Sequence, residues 1–124
     1  MNGKHYLQAI AVIAGSVLAA GTVRAQDIEA GKTIFAQCVA CHSTDGSNGA
    51  GPSLKGVVGR KAGSFEGFRY SRAMKNAGTT WDAASLRAFV ADAQKAMPGN
   101  VMPYPGIADA KQVDDVVAYI ATLR

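Results

Sequence analysis

Cys38 and Cys41 are separated by two residues, and His42 follows directly. On a helical turn, two thiols three positions apart lie on one side, and the next imidazole projects beside them. This set can form two thioethers to the vinyl groups on one edge of a porphyrin. The imidazole can then ligate the metal at its centre. C-x-x-C-H is the attachment pattern of c-type haem. Other chemistry fits these atoms less well. A thioredoxin-like pair belongs in a βαβ setting, and no such pattern surrounds Cys38. A structural zinc needs four ligands. The chain has two cysteines and two histidines, and His5 lies in a segment read below as removed. A Cys38–Cys41 disulfide would leave His42 without a role.

A covalently held haem iron needs a second axial ligand. His42 is the only histidine after residue 25, so a second imidazole from the same chain is excluded. Methionine thioether is the usual soft partner. Met74, Met97 and Met102 are the candidates. Met102 lies in Pro98-Gly99-Asn100-Val101-Met102-Pro103-Tyr104-Pro105-Gly106. Prolines stiffen such a loop and glycines bend it, which suits a ligand held at fixed reach. Met74 falls on a helix face, where packing is the ordinary role. Met97 precedes Pro98 and competes. Met102 is the favoured ligand.

These groups must be positioned by a small chain. Residues 1–25 read as a secretory signal: Lys4 and His5, an apolar run from Tyr6 to Ala20, and small residues Val23 and Ala25 before Gln26. The run is short for a membrane span and is interrupted by Gly15, Ser16 and Gly21. An uncleaved anchor is the alternative. Export and C-x-x-C-H support each other, because haem is attached outside the bacterial inner membrane. Cleavage leaves residues 26–124 as one domain of 99 residues. It removes Lys4 and Arg24, so the formal charge falls from +4 to +2. Two ionised haem propionates would bring this near zero. The basic balance of the whole chain is therefore poor evidence for nucleic-acid binding.

The pattern of the mature chain is all-α, with helices at its ends and a glycine-rich loop between. Asp27 can cap a helix with Ile28, Gly31, Phe35 and Cys38 on one face. Asp109 and Gln112 form a capping-box pattern ahead of the stripe Val113, Val116, Val117 and Ile120. Gly31 permits close helix approach, and Phe35 and Tyr119 are aromatic partners for the crossing. Residues 43 to 67 hold seven glycines and bury little surface of their own. A loop of that length needs a core to wrap, and a haem disc can be one. Ser71 to Ala77, closed by Gly78, reads as a short helix. Trp81 opens another, with Leu86, Phe89, Val90 and Ala93 facing inward.

The mature chain resembles the class I cytochrome c family, close to its mitochondrial-type members, as a bacterial periplasmic protein. The resemblance rests on Gly51-Pro52-Ser53-Leu54-Lys55-Gly56-Val57-Val58-Gly59-Arg60-Lys61-Ala62-Gly63. It continues through Phe68, Tyr70, Asn76-Ala77-Gly78, Trp81, the Pro98-Gly99 and Met102 loop, and Ala118-Tyr119. It implies a fold with crossing terminal helices and loops around one covalent haem c. His42 and Met102 would be the metal ligands. The Pro52 carbonyl would accept the free N–H of His42 and tune its basicity. Arg60, Tyr70 and Trp81 would hold a buried propionate. Gly31, Phe35 and Tyr119 would form the helix crossing.

Departures from the family pattern are as informative. Phe89 stands where a tyrosine is common, Met74 where an asparagine is common, and Asn100 where a threonine is usual. The lysines that ring the haem edge in mitochondrial members are replaced by Gln37, Gln94, Val101, Ala108 and Asp109, while Lys95 remains. The resemblance implies a monomeric electron carrier and no enzyme. Its partners would be redox proteins: membrane quinol-oxidising complexes, oxidases, or periplasmic dehydrogenases and reductases. A small haem peroxidase or a ligand sensor would need an open distal position. The mature chain has no second histidine to serve there.

Overall fold

The computed structural model describes residues 25–124, so the expected leader lies outside the described residues except for Ala25. The helix α1 spans Ile28–Phe35. It starts where the Asp27 carboxylate accepts the Ala30 N–H at 3.0 Å, satisfying one of the unpaired amides of a first turn. Gly31 and Phe35 face inward, but Ile28, expected on the same face, is 46% exposed. The side chains that α1 buries begin at Gly31, and Ile28 stands outside the core.

Four further helices follow among the described residues. α2 spans Arg72–Asn76, capped by the Ser71 hydroxyl, and Gly78 beyond it takes φ +68°. α3 spans Ala83–Ala91 and α4 spans Ala93–Ala96. The sequence pattern predicts one helix opening at Trp81 and running through Ala93. Instead Asp82 and Asp92, both extended, accept the Ser85 and Lys95 amides at 2.7 and 3.0 Å. Each aspartate side chain begins a helix and so ends whatever precedes it. Trp81 is left outside the helix, next to the Lys61–Thr80 bridge. Its N–H donates to Arg60 O at 2.9 Å, and its carbonyl accepts the Gly59 N–H at 2.8 Å.

α5 spans Ala110–Ile120, capped by Asp109 through the Gln112 N–H at 2.9 Å. Its stripe of Val113, Val116, Val117 and Ile120 is buried, as expected. α1 packs on α5, and α3 packs on α5 and α4, whereas α2 packs on no other helix among the described residues. At the α1–α5 crossing, a Cβ on Gly31 would collide with the Asp115 carbonyl oxygen. Phe35 and Tyr119 meet there with ring centroids 5.1 Å apart. The Asp115 side chain, 3% exposed, accepts the Asp27 N–H at 2.8 Å and the Lys111 ammonium at 2.7 Å. It ties the start of α1 to α5.

The stretch from 43 to 67 is loop, as its glycines predict. Its buried anchors are Val57, Ala62 and Ser53. Gly56 N–H reaches Leu123 O at 2.8 Å, joining the loop to the end of the chain.

Candidate functional site

α1 delivers the cysteine motif. After Phe35 the chain keeps turning through short-range bonds, with Cys38 N–H to Phe35 O at 2.8 Å and His42 N–H to Cys38 O at 2.8 Å. Cys38, Cys41 and His42 therefore share one turn. Both cysteines are free, Cys38 half-buried and Cys41 exposed. Burial, and then the neighbouring Cys41, push the Cys38 thiol upward.

His42 is held on two sides. Its Nδ1 lies 2.7 Å from the Pro52 carbonyl oxygen. A carbonyl can only accept, so Nδ1 carries a proton, and Nε2 is the nitrogen through which this ring can ligate a metal. The ring also lies against Gly51, where a Cβ would stand 2.5 Å from Cε1 and 2.7 Å from Nδ1. Any side chain at residue 51 would displace the imidazole. Gly51 N–H to Cys41 O, 2.8 Å, closes this loop back on the motif.

Met102 is half-buried and packs against the core, with its backbone N–H on the Asn100 side chain at 2.9 Å. Met97, 8% exposed, is a core residue after α4, and Met74 lies partly buried on α2. Tyr104, two residues past Met102, donates its hydroxyl to Gln37 Oε1 at 2.9 Å. That bond bridges the methionine loop and the residue before Cys38. Burial, followed by proximity to Cys38, raises the Tyr104 hydroxyl's pKa.

Arg60, Tyr70 and Trp81 come together around one loop. The Arg60 guanidinium donates to Ser53 O at 2.7 Å and Lys55 O at 3.2 Å, and stacks 4.5 Å over the Phe65 ring. Tyr70 accepts the Phe65 N–H at 3.2 Å. Trp81 pairs with Arg60 through the backbone, and its ring packs on Phe89 at 5.2 Å. Burial lowers the Arg60 pKa, and no carboxylate pairs with it among the described residues. A half-buried guanidinium satisfied only by carbonyls retains donors for an anion.

Two contacts leave no local signature in the sequence. Asn100 reads only as a departure from the family pattern, yet it is buried and accepts the Met102 N–H. The Gln37–Tyr104 bond joins residues 67 positions apart, and no local pattern signals such a pair. Around this region Gln37, Gln94, Val101, Ala108, Asp109 and Lys95 are exposed, with Val101 at 73% and Val39 at 59%.

The residues present fit a covalent haem: two adjacent thiols, an imidazole held through Nδ1 with Nε2 as its ligating atom, and a glycine cradle against its ring. Comparison with known proteins agrees. The family profile described as Cytochrome c matches residues 28–124. Cytochrome c2 of Rhodoblastus acidophilus is 43% identical over 102 residues, covering 81% of this chain and 95% of that protein. Cytochrome c2 of Blastochloris viridis is 41% identical over 111 residues, covering 88% and 85%. The solved structure of cytochrome cH from Methylobacterium extorquens superposes with a TM-score of 0.74 at 50% identity, covering 77% of this chain and 98% of that one. The chain therefore belongs to the cytochrome c family, as a class I bacterial member with one haem c bound covalently through Cys38 and Cys41, and it carries electrons and is not an enzyme.

Proposed function

We propose that this chain is a soluble periplasmic carrier, exported by residues 1–25, cleaved before Gln26, and monomeric as residues 26–124. His42 and Met102 are the axial ligands of its iron. Its partners are membrane quinol-oxidising complexes, oxidases, or periplasmic dehydrogenases and reductases. When bound, the haem supplies a reversible ferrous–ferric couple. The observation that carries the reading is the His42–Pro52 bond, which assigns Nδ1 as donor to a carbonyl and so turns Nε2 into the ligating atom, one turn from two cysteines.

Each residue then has a defined task. Pro52 O fixes the His42 ring and raises its basicity. Gly51 leaves room for that ring. Arg60, Tyr70 and Trp81 hold a propionate, with the half-buried guanidinium as principal donor. The buried side chains Leu86, Phe89 and Met97 exclude water from the interior. The exposed surface beside the methionine loop is short of lysine and carries Val101, so partners dock mainly through short-range apolar contact.

The test is the intact mass of the denatured protein purified from the periplasm. The expected value is residues 26–124 plus one haem, with the haem surviving acid–organic extraction. Cys38→Ala with Cys41→Ala should leave none on the chain. A mass without haem, or one with a Cys38–Cys41 disulfide, would overturn the reading.

A further inference from the structure

Asn100 is 6% exposed, although Val101 beside it is 73% exposed. Every polar atom of the residue is engaged. Its side-chain amide donates to Ala93 O at 2.7 Å and to Met97 O at 2.8 Å. Its side-chain oxygen accepts the Met102 N–H at 2.9 Å. Its backbone N–H reaches Met97 O at 3.2 Å, and its carbonyl accepts Gln94 Nε2 at 2.9 Å. The amide orientation is fixed, because turning it over would set an oxygen against two carbonyl oxygens.

These bonds have a direction. Ala93 O and Met97 O bracket α4, Ala93 being its first residue and Met97 its C-cap, and each also accepts a backbone N–H, from Met97 at 2.9 Å and from Asn100 at 3.2 Å. Met102 N–H lies on the methionine loop. One side chain thus joins both ends of α4 to the backbone of Met102. Gly99, at φ +86°, turns the chain so that Asn100 points inward. A hydroxyl in place of the carboxamide has one hydrogen, so it cannot donate to both carbonyls and also hold Met102.

We propose that Asn100 is the positioning residue for Met102, coupling α4 to the loop so that the sulfur stays on the iron. The proposal rests on Met102 being the ligand. Losing the link removes one of the two donors on each of Ala93 O and Met97 O and frees the Met102 amide, which favours the state with sulfur released. One lost buried hydrogen bond corresponds to roughly a tenfold shift in that equilibrium. An external ligand binds only the released state, so its apparent affinity rises in proportion to that population.

The experiment uses the ferric holoprotein with imidazole as probe, together with hydrogen exchange at the Met102 amide. In Asn100→Thr, imidazole affinity should rise about tenfold. The Met102 amide should exchange faster by a similar factor, and Asn100→Ala should show larger changes. Val116→Ala, a core truncation on α5, should lower the melting temperature and leave imidazole affinity unchanged. That contrast separates positioning from general stability. Unchanged affinity and exchange in Asn100→Thr would overturn the proposal, as would an equal rise in affinity in Val116→Ala. Met102→Ala distinguishes the two possible failures. If the sulfur–iron band survives there, the ligand assignment falls and the proposal with it. If the band is lost there but Asn100→Thr binds imidazole like wild type, the positioning role alone is wrong.

Discussion

At the scale of single residues, the account turns on which methionine reaches the iron. A thioether favours ferrous over ferric iron and so raises the reduction potential. Met102→Ala should abolish the weak sulfur-to-iron charge-transfer band of the ferric protein and lower the potential. Met97→Ala and Met74→Ala should keep the band, since Met97 is core and Met74 lies on α2. Loss of the band in Met97→Ala with retention in Met102→Ala would reverse the assignment. The attachment motif was legible because covalent chemistry demands fixed residue types at fixed spacing. Pro52, Arg60, Tyr70 and Trp81 were legible only through family resemblance. Asn100 and Tyr104 were not, because their partners are set by the tertiary path of a loop.

At the scale of elements, the crossing of α1 and α5 depends on one missing side chain. The Cβ of Gly31→Ala would run into the backbone of Asp115, which cannot rotate away. Overpacking of this kind costs about 1–3 kcal/mol, read as a lower denaturant midpoint with the haem retained. An unchanged midpoint would mean the helices are further apart than described. Acid should act on the same crossing. The Lys111 ammonium and then the Asp27 N–H hold the Asp115 carboxyl below the usual carboxylate range. Asp45 is held at about 2, first by the Ser47 hydroxyl. A carboxyl lowered on folding adds stability that is complete above its unfolded pKa, about 4. That stability fades as pH falls through the lower folded value. Melting temperature should therefore be flat above about pH 5 and fall between about pH 4 and 2. Asp115→Asn should start lower and fall less steeply, and parallel acid limbs would contradict this role. The helices themselves were legible from periodicity and caps. The break at Asp92 was not, because an aspartate inside an apolar pattern reads as a solvent-facing position until its side chain is seen accepting the Lys95 amide.

At the scale of the molecule, charge decides how partners are met. Residues 26–124 carry a formal +2, which two propionates would cancel. Attraction between docking faces is screened over about 8 Å at physiological salt. With Gln37, Gln94, Val101, Ala108 and Asp109 exposed around the methionine loop, the second-order electron-transfer rate should change little across a salt series. A fall of about tenfold or more between low and physiological salt would show that Lys32, Lys55, Lys95 and the remaining basic residues converge on the docking face. The overall architecture was legible because long glycine-rich loops between terminal helices imply an added core. The polar bonds that close those loops needed the structure. The most direct test of the account is a potentiometric titration of the purified protein under argon and again under carbon monoxide. A carrier with both axial positions filled by its own side chains should give one reversible one-electron transition at the same midpoint under both gases. Carbon monoxide bound to the ferrous form would stabilise it and raise the midpoint, and that rise would contradict a carrier ligated by His42 and Met102.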